Sequence, residues 1–284
     1  MRPAELRAFV ERHPAAVVAE LASVRGSSPR EAGAFMLIAA DALIGTIGGG
    51  ALEYLVIDRA RQALRGNEEP EGLDIPLGPE IGQCCGGRVE VSLRRASPQL
   101  NAHLLKRLAA AEAARPHVFL FGAGHVGKAL ALSLSPLPLA VHVIDTRPDE
   151  LRGLPEAVEA RAAPMPEAVV RSAPAGSSYV IVTHDHALDF LIAAEALKRE
   201  DAPYVGMVGS RTKRARFASW YRAEGGTEEA LGRLVLPIGD YGVVDKRPEV
   251  IAALAAAEIM VQIGRREAVV ERAPETRMLG ADVD

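Results

Sequence analysis

The string Phe121-Gly122-Ala123-Gly124-His125-Val126-Gly127 leaves an apolar run, His117 to Phe121, and enters a helical one, Val126 to Leu134. A glycine turn between a strand and a helix restricts the fold more than any other string in this chain. In a dinucleotide-type fold the first glycine permits the tight turn, the second lets a phosphate approach the backbone, and the third lets the helix pack closely on the strand. Gly122, Gly124 and Gly127 stand at those places, with His125 opening the helix. The next apolar run ends in Val143-Ile144-Asp145, which puts a carboxylate where ribose hydroxyls bind and favours NAD over NADP if a dinucleotide binds. The same turn can also be architecture alone, because a glycine-rich fold outlives its ligand. Ser178 to Val182 and Tyr204 to Val208 read as further strands. Leu188 to Arg199, Lys213 to Glu224 and Pro248 to Ile263 read as helices. Alternation at this spacing predicts a parallel sheet with right-handed crossovers, so residues 116–284 are expected to form a Rossmann-type α/β domain.

Ligands of such sheets collect beyond the carboxyl ends of the strands, where two more segments are expected. Thr183-His184-Asp185-His186 offers two imidazoles and a carboxylate, suited to a metal, a proton shuttle or a polar ring system. The same string is also what an ordinary helix cap looks like, with Asp185 as the capping residue. Gly209-Ser210-Arg211, after the strand ending at Val208, suits an anion such as a phosphate. Arg214 and Arg216 fit a solvated helix face better.

Residues 1–98 predict a smaller α+β domain. Pro3 to Arg12 has helical spacing, Ala16 to Val24 reads as a strand, and Ser27-Ser28-Pro29-Arg30 as an exposed turn. Phe35 to Ala40 and Leu43 to Thr46 suggest a hairpin, which leads into Gly48-Gly49-Gly50 and a helix from Ala51. Leu73 to Leu77 and Arg88 to Leu93 alternate with a period of two, the mark of half-buried strands. Residues 99–115, rich in leucine and alanine and closed by Pro116, are expected to be a helical connector.

Between the last two strands lies Gly82-Gln83-Cys84-Cys85-Gly86-Gly87-Arg88, which holds the chain's only cysteines. Adjacent cysteines close no useful loop, so a disulfide framework is excluded. Two thiols also fall short of a closed zinc site. Set in a glycine-rich loop beside Arg88, they read as reactive thiols, with a thiolate fit to handle sulfur or meet a soft metal. The first residues are charged and no apolar segment reaches membrane length, so a cytoplasmic protein is expected. A net charge of −4 gives no reason to expect nucleic-acid binding.

Taken in order, Ser27 to Arg30, Gly45 to Gly50, Gly82 to Arg88, Phe121 to Gly127 and Thr183 to His186 resemble the XdhC/CoxI family of xanthine dehydrogenase accessory proteins. Gly206 to Arg216 and Leu236-Pro237-Ile238-Gly239 extend the likeness. The resemblance implies an accessory protein of purine metabolism rather than a catalyst. Such a chaperone holds the molybdenum cofactor (molybdopterin) while a cysteine desulfurase exchanges an oxo ligand for sulfur, then inserts the cofactor into xanthine dehydrogenase. It implies contact of Cys84 or Cys85 with the metal end, and of Gly122 to Gly127 with Arg211 at the phosphate end, in a site bordered by Asp145, His184, His186, Gly209 and Ser210. A homodimer is compatible with that role. The competing expectation is an NAD(P)-dependent oxidoreductase with His184 or His186 as acid or base and Cys84 near the substrate.

Overall fold

In a computed structural model, which describes residues 1–79, 82 and 86–272, the chain divides into two compact units, 1–114 and 115–284.

The first unit is built on an antiparallel sheet of β1 (Val17–Arg25), β2 (Phe35–Ile38), β3 (Leu43–Gly45), β4 (Leu73–Pro76) and β5 (Arg88–Arg95) in the order β3-β2-β1-β5-β4. Alternation along β1 decides which helix covers which face. Val17, Ala19 and Leu21 pack with Leu52, Val56 and Ala60 of α2 (Gly50–Gly66). Val18 and Leu37 turn to the other face, under Leu6 and Phe9 of α1 (Pro3–Arg12) and Leu104 of α3 (Pro98–Ala113). The predicted connector is therefore corrected. Residues 98–113 are a helix of the first unit, because Leu104 is fully buried in that core.

The second unit holds a six-stranded sheet of β6 (His117–Phe121), β7 (Ala140–Asp145), β8 (Glu159–Ala162), β9 (Ser178–Ile181), β10 (Val205–Met207) and β11 (Leu234–Val235). All its pairings are parallel, in the order β11-β10-β9-β6-β7-β8. The chain winds outward from β6 through β7 to β8, then returns to β6's other side and winds outward again through β10. This is the doubly wound order, with its switch point between β6 and β9. Helices α4 (His125–Leu134) and α9 (Pro248–Arg272) bury Leu130, Leu134, Ala255 and Ile259 on one face. On the other lie α5 (Pro166–Ser172), α6 (His186–Leu197), α7 (Arg211–Ala223) and α8 (Glu228–Gly232), around Phe121, Tyr179, Ile192 and Phe217. Coverage of both faces explains why β6 and β9 read as unbroken apolar runs. Among the described residues no helix is long and apolar enough to cross a membrane.

Candidate functional site

The switch point gathers four loops at the carboxyl edge of the second sheet. Gly122 N–H donates to Ile144 O, Val182 N–H to Phe121 O and Val208 N–H to Ile181 O, so the ends of β6, β7, β9 and β10 stand side by side. Gly122 has φ +109°, and a Cβ there would stand 2.5 Å from the carbonyl oxygen of Val182. A Cβ on Gly127 would overlap the carbonyl oxygen of Gly122, so α4 lies against β6 as closely as backbone allows. Gly124 differs from both. It precedes α4 with no side-chain cap, and nothing stands within 4 Å of its would-be Cβ. The first turn of α4 thus keeps its N–H groups open to an anion, with His125 exposed beside them.

Asp145 is buried, and its carboxylate is already engaged. Oδ2 accepts from Ala123 N–H at 2.7 Å and from the Arg147 guanidinium at 3.1 Å, while Oδ1 accepts from the N–H and Nε of Arg147 at 2.9 and 3.1 Å. Burial alone would raise its pKa; the hydrogen bonds from Arg147 and Ala123 outweigh it and hold the carboxyl below its ordinary value. It fastens the glycine turn to the end of β7 and brings a guanidinium to the same edge.

The segment after β9 resolves as a helix cap. The Asp185 carboxylate accepts from the N–H groups of Ala187 and Leu188, which pull its pKa down. The two imidazoles part company. His184 lines a shallow depression with Gly122, Asp145, Thr146, Pro166 and Thr183, whereas His186 lines a separate recess between α6 and α7. Among the described residues no group of three histidines, cysteines or acids is placed to hold a metal ion.

After β10, Gly209, Ser210 and Arg211 are exposed, and the Ser210 hydroxyl caps α7 by accepting from Lys213 N–H. Arg214 is not a solvated residue: its Nη1 donates to the carbonyls of Leu234 and Leu236 at 3.0 and 3.2 Å, securing the chain leaving β11. Arg216 is exposed, as expected. The sequence reading missed a buried ion pair. The Lys213 ammonium donates to the Asp189 carboxylate and to Val208 O at 2.8 Å, while Asp189 also accepts from the N–H and hydroxyl of Thr183. One pair therefore ties the loops after β9 and β10 together. Its signal was an aspartate and a lysine at apolar-face positions of two adjacent helices.

In the first unit, the strings that stood out in the sequence meet. A Cβ on Gly87 would overlap Ser27 O, Gly26 lies against Gly87, and Gly48 lies against the Pro29 ring. Leu77 N–H donates to Gly87 O and Leu77 O accepts from Gly86 N–H, extending the β4–β5 hairpin beyond its strands. Cys84 and Cys85 lie outside the described residues. Arg88 is not free to act on a thiol, because Asp74 holds it through two bonds of 2.7 and 2.8 Å. Nor is the start of α2 open to an anion. Glu53 accepts from the Thr46 hydroxyl at 2.5 Å and Ile47 N–H at 3.0 Å, and although burial raises its pKa, these and the N–H groups of Gly49 and Gly48 bring it down.

Comparison with known proteins follows this division. Residues 118–259 match the family model of the XdhC Rossmann domain, and residues 9–71 that of the XdhC and CoxI family. The Escherichia coli K12 protein YqeB, described as uncharacterized, is 28% identical over 258 residues, 86% of this chain and 42% of YqeB. The chain thus spans less than half the length of that relative. A Bacillus halodurans crystal structure titled a xanthine dehydrogenase superposes with a TM-score of 0.75 at 21% identity, covering 94% of this chain and 96% of that one. That likeness shows a shared fold across both units. With one family model on each unit, in order, this chain belongs to the XdhC and CoxI family.

Proposed function

We propose that the protein is an accessory factor for xanthine dehydrogenase that binds the molybdenum cofactor, holds it for sulfuration by a cysteine desulfurase, and delivers it to the apoenzyme. The observation that carries this reading is the pair of family models on a single chain, with the second falling on a Rossmann unit whose anion-accepting edge is open. When bound, the cofactor would supply an anionic phosphate at one end and a thiolate-seeking metal at the other.

The residues present suit such a group. The uncapped start of α4 at Gly124 provides backbone donors for a phosphate, whereas the starts of α6 and α7 are capped by Asp185 and Ser210. Arg211 begins α7, two strands away from β6, roughly 10 Å, and its exposed guanidinium can complete an anion's coordination. His184 borders the depression next to Gly122 as a polar neighbour for a ring system. Cys84 and Cys85 are proposed to face the metal end. The engagement of Asp145 with Arg147 speaks against the competing dehydrogenase reading, which needs that carboxylate for ribose hydroxyls.

The test is purification of the protein from cells replete in molybdenum, followed by assay of bound pterin, molybdenum and nicotinamide and by activation of apo xanthine dehydrogenase. Bound pterin with activation, lost in the Cys84→Ala, Cys85→Ala double variant, is the expected result. Bound nicotinamide without pterin, or activation unchanged in the double variant, would overturn it.

A further inference from the structure

Between α6 and α7 lies a recess of about 400 Å³ that neither the glycine turn nor the family resemblance accounts for. Its walls are Ala187, Phe190, Leu191 and Trp220, and its other lining residues are His186 and Arg216. Phe190 and Trp220 stand with ring centroids 5.5 Å apart and planes inclined at 37°, so they present a bent aromatic wall rather than a closed stack. Leu191 is 48% exposed, a large apolar side chain left open to solvent.

The charged group of this recess is the Arg216 guanidinium. No carboxylate lines it, and the Arg216 guanidinium makes neither an ion pair nor a hydrogen bond among the described residues. The other arginines of α7 are partly spoken for: Arg214 holds two carbonyls of the chain leaving β11 and Arg222 holds Glu228. An apolar, aromatic concavity of several hundred cubic ångströms with a few convergent polar groups is the ordinary form of a small-molecule site. A guanidinium fork beside it selects a carboxylate, sulfonate or phosphate and can also stack on a ring.

We propose that the α6–α7 recess is a binding site for a flat aromatic ring bearing one anionic group, with the ring against Phe190 and Trp220 and the anion on Arg216 and His186. The site is distinct from the depression at Gly122, and the proposal stands whether or not the protein carries a molybdenum cofactor. His186 joins the two regions, since it opens α6 directly after the loop whose His184 faces the switch point. A ligand in the recess therefore touches the same segment that borders the proposed cofactor site.

Trp220 is the chain's single tryptophan, so the site carries its own reporter. The full-length protein is titrated with naphthalene-2-carboxylate, followed by isothermal calorimetry and by Trp220 emission corrected for absorbance. Saturable binding of one equivalent with a change in Trp220 emission is expected. Affinity should fall by about tenfold or more in Arg216→Glu, an exposed position where circular dichroism should be unchanged. Naphthalene-2-methanol, of equal shape but uncharged, should likewise bind about tenfold more weakly. Absence of saturable binding, or wild-type affinity in Arg216→Glu, overturns the proposal. Equal affinity for the uncharged alcohol also overturns it, since the recess is then an apolar anchor for a protein side chain.

Discussion

Gly124 and Gly127 sit within one turn of each other and answer to opposite demands. Gly127 is required by packing, because any Cβ there meets the backbone of Gly122; Gly127→Ala is expected to cost about 2 kcal/mol or more, read as a drop in the urea midpoint. Gly124 has open space, so Gly124→Asp should change stability by no more than about 0.5 kcal/mol, or raise it slightly by capping α4, while repelling any phosphate. Loss of cofactor binding with an unchanged melting temperature is the result expected for Gly124→Asp; retained binding would move the phosphate elsewhere. At the other end of the sheet Asp201 is gripped by the Arg199 guanidinium, which with Gly176 N–H overcomes the effect of burial and brings its pKa from 3.8 down to about 2. A depressed folded-state pKa stabilises above the unfolded value and ceases to as pH falls through the folded one. Asp201→Asn should therefore lose on the order of 1–2 kcal/mol at neutral pH, discounted for partial exposure. Between pH 4 and pH 2 the two proteins should converge, and a constant gap in denaturation midpoints across that window would refute the assignment.

Among elements, the buried Asp189–Lys213 pair is what fixes α6 to α7 at the carboxyl edge. Removing one partner strands the other charge in the core, so Asp189→Leu or Lys213→Met alone should cost about 3–5 kcal/mol. The double variant should cost markedly less than the sum. Additive single effects in a double-mutant cycle would mean the pair is not coupled. Such a pair shows why the site was only partly legible in the sequence. The glycine turn, β7 ending at Asp145 and the strands β9 and β10 were readable because period and punctuation are local. The roles of Asp189, Lys213 and Arg214 were not, because their partners are a neighbouring helix and the carbonyls of two neighbouring strand ends. In the same way β8 escaped notice: Glu159–Ala162 is exposed along its whole length and carries no apolar alternation. The cap at Asp185 was legible as one of two readings, and only the N–H groups of Ala187 and Leu188 decide for it. Helix α3 was visible as a helix but not as part of a core, since a leucine stripe does not name the surface it covers.

For the molecule as a whole, the two units each enclose complete hydrophobic clusters of their own. A fragment spanning 115–284 should fold by itself, with a single cooperative thermal transition and the near-ultraviolet signal of a packed Trp220; a broad, non-cooperative melt would show that it depends on the first unit. The first unit carries a different constraint, which lies in the position of β1. This strand is the first made, directly after α1, yet it ends in the middle of its sheet, and its Val17 pairs with Arg95, about 80 residues later. On a ribosome moving at about 5–20 residues per second, its second edge waits roughly 4–16 s for β5 to be made. During that interval the half-sheet of β1, β2 and β3 exposes an unpaired apolar strand, so the rate of synthesis between residues 25 and 95 governs how much of the protein reaches its native pairing rather than an aggregate.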